Sequence, residues 1–128
     1  MEKEFVRHEI SLELKQLGFD DPCIGKFYYN QLEIGGIWTN NDFKEDPDIF
    51  ISAPLYQQVF RWFREKYELD SYITPSQLET KKVYDFYIWF TNKEGERDLY
   101  IGMNNEYTYE EAELECLLKL IEFVKESI

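Results

Sequence analysis

The sequence predicts an α+β protein in which helices pack on a mainly antiparallel sheet of three to five strands, in the order α–β(β)–α–β–β–β–α. Two observations support this class: three segments repeat apolar residues at helical spacing, and the β-rich segments between them follow one another through short, hairpin-like connections. The chain has 128 residues, of which 44% are hydrophobic and 31% charged, and this suits a single globular domain over residues 1–128.

The first predicted helix covers residues 3–17. Its apolar residues, among them Leu14, form one stripe, and Gly18 follows as a natural helix-terminating residue. Residues 27–38 favour a strand or an irregular hairpin, because two adjacent glycines weaken regular pairing. The polar stretch 39–48 predicts a loop.

The second predicted helix covers residues 55–67, with Ser52 as its cap and Pro54 close to its first turn. Its apolar band spans roughly 160°, which is wider than a helix needs to lie on one sheet. Tyr56 and Trp62 belong to this band and are therefore candidate binding residues.

Residues 71–74 predict a short strand, and residues 83–91 predict the strongest strand of the chain because they are dense in aromatic and β-branched residues. Residues 92–96 have the composition of a turn, and residues 99–103 predict the returning strand.

The third helix is predicted over residues 108–126, with Thr108 and Glu111 forming a capping box. Glu113 falls within the apolar arc of this helix. We expect the first turn to overhang the sheet edge and keep this carboxylate in solvent. The alternative is a partly buried carboxylate, which makes Glu113 a candidate functional residue.

Alternation along residues 83–91 separates two faces of the strongest strand. Tyr84, Phe86, Ile88 and Phe90 are expected to face the core, whereas Tyr87 and Trp89 face the other way, beside Asp85. With helices on one side of the sheet only, these rings would be exposed and would mark an interaction site. The competing interpretation is that residues 27–38 or a second subunit cover them.

Charge and cysteine content narrow the function classes. The chain has 14 Lys and Arg and 26 Asp and Glu, which gives a net charge of −12, so direct binding to nucleic acid is not expected. No segment approaches the roughly 20 apolar residues of a membrane span, and the charged start of the chain does not resemble a secretory signal. Cys23 and Cys116 are isolated, which favours a reducing, cytoplasmic setting without disulfides.

No nucleotide-binding or nucleophile motif is present, so we expect neither an enzyme nor a cofactor. The single histidine, His8, is expected on the outer side of the first helix without a nucleophile near it in sequence. Residues 40–48 offer oxygen ligands, yet they lack the EF-hand spacing. They predict a solvated loop and no metal site.

Three segments together resemble a group of short uncharacterised proteins of Bacteroidota genomes, prophages and phages. They are LKQLGFDDPCIGKFYY at 14–29, APLYQQVFRWFREKYELDSYI at 53–73 and YTYEEAELECLLKLIEFVKE at 107–126. The resemblance covers most of the chain in the same order. It implies an intracellular setting and an accessory gene on a mobile element, and it carries no catalytic residues.

These observations favour a non-enzymatic cytoplasmic module that binds a protein partner, or a second copy of itself, through the aromatic surface around Tyr87 and Trp89. One alternative is an acidic nucleic-acid mimic that inhibits a basic protein, with salt-sensitive binding. Another is a binder of a small flat ligand held between aromatic rings, although no cationic cluster is present to hold phosphates.

Overall fold

The computed structural model describes residues 2–76, 82–104 and 107–127 and confirms the α+β class. Its strands pair antiparallel and form two three-stranded sheets, whereas the sequence predicts one sheet. Contacts divide the backbone into two compact units, residues 1–59 and 60–128. A single domain for the whole chain stays a prediction.

The first unit contains a helix and three strands: α1 (His8–Gln16), β1 (Cys23–Tyr28), β2 (Gln31–Trp38) and β3 (Phe50–Ala53). β1 lies in the middle of the sheet, between β2 and β3. α1 packs against β3. The buried core of this sheet contains Phe5, Phe27, Ile51 and Ala53.

The prediction that Ser52 caps the second helix is wrong. Ser52 lies inside β3, is buried, and pairs with Lys26 of β1. Its main-chain N–H donates to Asn40 Oδ1 at 3.0 Å. β3 is four residues long and pairs with a strand distant in sequence, so the local pattern gave no signal for it.

The hairpin of β1 and β2 is irregular, as expected from its glycines. Between the pairs Gly25–Ile34 and Cys23–Trp38, β2 has three residues where β1 has one. Gly36 lies in this bulge with φ of +78°, a backbone conformation that favours glycine.

α2 (Tyr56–Tyr67) begins in the first unit and continues into the second. The second unit also contains three strands and a long helix: β4 (Asp70–Pro75), β5 (Tyr84–Thr91), β6 (Arg97–Gly102) and α3 (Tyr109–Ser127). β5 is the central strand of the order β4-β5-β6. These elements confirm the four predicted segments to within two residues at each end.

The predicted capping box of α3 is present. Thr108 N–H donates to Glu111 Oε1 at 3.1 Å, and Glu111 N–H donates to Thr108 Oγ1 at 3.2 Å. α3 packs against all three strands of the second sheet. Across the described parts of the chain, no helix combines the length and apolarity needed to cross a bilayer.

Candidate functional site

β5 has the two faces that its alternation predicted. Phe86 and Ile88 are buried on the side that faces α3, and Phe90 on the same side packs on Phe123 of α3 with ring centroids 4.7 Å apart. Tyr87 and Trp89 project to the opposite side, where Tyr87 is half-buried and Trp89 is 39% exposed. The core face of this strand is therefore confirmed.

Neighbouring strands extend the second side of β5 into a larger apolar surface. Tyr72 of β4 and Ile101 of β6 are the register partners of Tyr87, and Leu99 of β6 is the register partner of Trp89. Tyr72 is 48% exposed and Ile101 is 45% exposed. We call the surface formed by Tyr72, Tyr87, Trp89, Leu99 and Ile101 the outer face.

A polar network borders the outer face at one end. The Arg97 guanidinium donates to Asp70 Oδ2 at 2.7 Å, to the carbonyl of Glu68 at 2.8 Å and to Thr91 Oγ1 at 3.3 Å. Arg64 joins these residues around an open cleft of about 320 Å³. The arrangement resembles the polar rim that surrounds the apolar centre of many protein interfaces.

Asp85 shares the side of β5 on which Tyr87 lies and pairs with Thr74 of β4. It is only 6% exposed, so it is covered, whereas Trp89 on the same side is accessible. The accessible part of this side therefore begins at Tyr87 and Trp89 and ends at the polar residue Thr91.

Glu113 does not remain in solvent as expected. The residue is 6% exposed and lies beside the fully buried Ala112 and Cys116. Burial in α3 therefore begins at Ala112 and Glu113, whereas Tyr109, Glu110 and Glu111 before them are exposed. The alternative interpretation, in which Glu113 is buried, is the one that the structure shows.

Tyr56 and Trp62 are also buried. The Trp62 ring packs edge to face on Phe63 and Tyr67, at centroid distances of 5.0 and 5.5 Å, and Lys66 Nζ lies 5.1 Å from the Trp62 centroid. The broad apolar band of α2 is thus used in packing.

His8, Cys23 and Cys116 are the side chains of the described residues best suited to act as a base or a nucleophile, and all three are at least half-buried. His8 is half-buried, a correction to its expected outer position, and its ring meets Phe27 edge to face at 5.2 Å beside an open cleft of about 720 Å³. Burial raises the pKa of Cys23 to about 11 and that of Cys116 to about 12. Both thiols are therefore protonated at neutral pH and are weak nucleophiles.

Two polar side chains of the oxygen-rich loop, those of Asn40 and Asp42, form hydrogen bonds within the first unit. Asn40 Nδ2 donates to the carbonyl of Phe19 at 2.8 Å, and Asp42 Oδ2 accepts from Thr39 N–H at 2.8 Å in a second capping box. Within the described residues, no group of three or more His, Cys, Asp or Glu side chains is placed to hold a metal ion.

A second accessible feature lies at the opposite side of β6, and it was not predicted from the sequence. A groove of about 300 Å³ runs between β6 and α3, and its lining includes Tyr100, Tyr107, Glu115 and Lys119. Burial, followed by the negative charge of Glu115, raises the pKa of the Tyr107 phenol.

Sequence reasoning identified Tyr87 and Trp89 but missed Tyr72 and Ile101, because it could not supply the strand register that places them together. Comparisons with protein-family models, with curated proteins and with solved structures found no match for this chain.

Proposed function

We propose that this chain is a non-enzymatic binding module that holds a partner protein against the outer face of its second sheet. One observation carries the proposal. Tyr72, Tyr87 and Ile101 form a continuous row across all three strands, and the two outer members of this row are exposed. Contiguous exposed apolar side chains of this kind are typical of interaction surfaces.

The residue types on the outer face suit protein recognition. Tyrosine and tryptophan bury a large area while only two side-chain torsions lose freedom, and they are enriched where interfaces bind most strongly. The Asp70–Arg97 ion pair, at 2.7 Å, would remain at the border and restrict the registers in which a partner can dock.

Charge favours a different protein over a second copy of this chain. Each copy has a net charge of −12, so two copies repel each other at any shared surface. A neutral or basic partner avoids this cost and gains association rate from attraction at long range.

We propose a bacterial cytoplasm as the setting, and an accessory role for the protein there. The support for this is the resemblance of residues 14–29, 53–73 and 107–126 to phage and prophage proteins. The two buried thiols fit a reducing compartment, since neither depends on a disulfide for its packing.

The test compares variants by native mass spectrometry after gentle purification of each protein from its own cellular lysate. The Tyr87→Ala/Trp89→Ala protein should lose a partner mass that the wild type retains. Ile37→Ala is the matched control, because Ile37 is an exposed apolar residue of the first sheet, outside the outer face. It should retain the partner.

Retention of the partner by the double variant would overturn the proposal. If the double variant unfolds, Tyr72→Glu decides the question, since this residue is exposed on an edge strand and tolerates a charge in the free protein. Tyr72→Glu should remain folded and should lose the partner mass.

A further inference from the structure

The groove between β6 and α3 lies entirely within the second unit and combines aromatic walls with carboxylates. We call it the β6–α3 groove. Its chemistry is carried by six of its lining residues: Phe86, Tyr100, Tyr107, Glu115, Lys119 and Glu122.

Gly102 lets an aromatic ring form the inner wall of this groove. Gly102 is the register partner of Phe86, and a Cβ atom at Gly102 would lie 2.1 Å from Cε1 and Cζ of the Phe86 ring. The ring therefore occupies the space that a side chain on β6 would fill. The rings of Tyr100 and Tyr107 lie near it, with centroids 6.0 and 6.4 Å from that of Phe86.

The groove already holds one cation of the chain itself. Lys119 Nζ lies 4.6 Å from the Tyr100 centroid and 5.5 Å from the Phe123 centroid, and it donates to Glu122 Oε1 at 3.1 Å. Aromatic faces and a carboxylate thus stabilise an ammonium group here by the interactions that bind organic cations in other proteins.

A second carboxylate in the groove has no such compensation. Lys119 neutralises Glu122, whereas Glu115 forms no ion pair with any described residue. The negative charge of Glu115 acts on the Tyr107 phenol: burial is the main cause that raises the pKa of this phenol, and the charge of Glu115 is the next. The groove therefore has an excess of one negative charge.

We propose that the β6–α3 groove binds the guanidinium group of an arginine side chain from the partner protein. A flat guanidinium can stack on a tyrosine face while it donates two hydrogen bonds to one carboxylate, here Glu115. A volume of about 300 Å³ is at the lower limit of small-ligand pockets and suits a single side chain.

The position of the groove connects it with the outer face. Ile101 belongs to the outer face and also lines the groove. Met103, which lies just after β6 and is exposed, lines the groove as well. A partner lying on the outer face can therefore reach over the edge strand β6 into the groove. The inference that the arginine belongs to a partner protein rests on the proposed function, whereas the inference that the groove binds a guanidinium group does not.

The test titrates the isotope-labelled full chain with N-acetyl-L-arginine amide and follows the amide resonances of Gly102 and Tyr107 by NMR. N-acetyl-L-citrulline amide is the matched probe, because it has nearly the same shape and no charge. We expect saturable shifts with the arginine probe alone. Glu115→Gln should raise its Kd about fivefold or more, whereas Glu110→Gln, an exposed carboxylate of the same helix outside the groove, should change it less than about twofold.

Equal shifts with both probes would overturn the inference, since they would show that the groove does not recognise the charge of the guanidinium. Equal effects of the two glutamate variants would also overturn it, since they would show only a general response to the net charge of the protein. The probe needs no partner, so the two proposals can fail separately. If the wild type does not bind the arginine probe but its retained partner is lost when Tyr87 and Trp89 are replaced, only the proposal for the groove is contradicted. Specific probe binding with a partner that ignores those residues would contradict the outer face alone.

Discussion

Tyr72 and Tyr87 stack face to face across β4 and β5, with ring centroids 5.0 Å apart and ring planes inclined by 11°. The two residues are register partners, so the backbone pairing itself brings their rings together. Each ring restricts the other before any partner arrives. A partner that binds here would therefore lose little further side-chain freedom on the protein side.

The stack should be measurable as a coupling between the two tyrosines. Tyr72→Ala, Tyr87→Ala and the double variant, together with the wild type, form a double-mutant cycle in the free energy of unfolding. We expect a coupling of about 1 kcal/mol, because aromatic pairs add this amount to their burial. Urea unfolding of the four proteins gives the value, and a coupling below about 0.3 kcal/mol would show that the rings do not interact in solution.

Gly102→Ala should lower the free energy of unfolding by about 2 kcal/mol, because the added methyl group meets the Phe86 ring. Backbone strain is not the reason, since Gly102 is not among the residues with positive φ. The control is the same substitution in a Phe86→Leu background, where the smaller side chain leaves room. The cost of Gly102→Ala should fall in that background, and an unchanged cost would contradict the contact.

Thr108→Ala should destabilise the protein by about 1 kcal/mol, because it leaves the Glu111 N–H without its capping oxygen. Thr108→Ser keeps the hydroxyl and should restore most of the stability. Thermal or urea unfolding of the three proteins checks this. Equal losses for alanine and serine would show that the hydroxyl does not cap α3.

The Cys116 thiol should make stability depend on pH under alkaline conditions. Its pKa rises from 9.0 to about 12 on folding, mainly because of burial, so the folded state retains a proton that the unfolded state releases. The contribution of the protonated Cys116 thiol to the stability of the folded state is fully present below about pH 9 and is lost as the pH rises towards 12. Between about pH 9.5 and 10.5 the thiol should reduce the free energy of unfolding by about 1 kcal/mol.

Cys116→Ala isolates this effect, because the other titrating groups are common to both proteins. The stability difference between wild type and variant should shrink by that amount over the same pH range. Urea unfolding at several pH values provides the comparison. A difference that stays constant would show that the thiol ionises as readily in the folded chain as in the unfolded one.

Elements with strong local signals were predictable. The alternation along β5 fixed which side faces α3, and Thr108 with Glu111 marked the start of α3. β3 could not be found in this way, because Ile51 and Ser52 form a strand only through pairing with the distant β1. For the same reason the sequence did not reveal that the strands divide into two sheets.

The candidate surface was predictable only at its centre. Tyr87 and Trp89 follow from the parity of one strand, whereas Tyr72 and Ile101 join them through a register that depends on both neighbouring strands. The burial of Glu113 was missed for a related reason. Helical spacing gives the angle of a side chain but not how closely the first turn packs.

The most direct test of the outer face is hydroxyl-radical footprinting of the protein with and without its retained partner. Tyr72 and Trp89 should be oxidised more slowly in the complex, because the partner covers their rings. Tyr28 and Tyr29, exposed at the end of β1 and in the turn that follows it, should react at the same rate in both samples. Protection of Tyr28 and Tyr29 with unchanged oxidation of Tyr72 and Trp89 would place the partner elsewhere and contradict the proposed function.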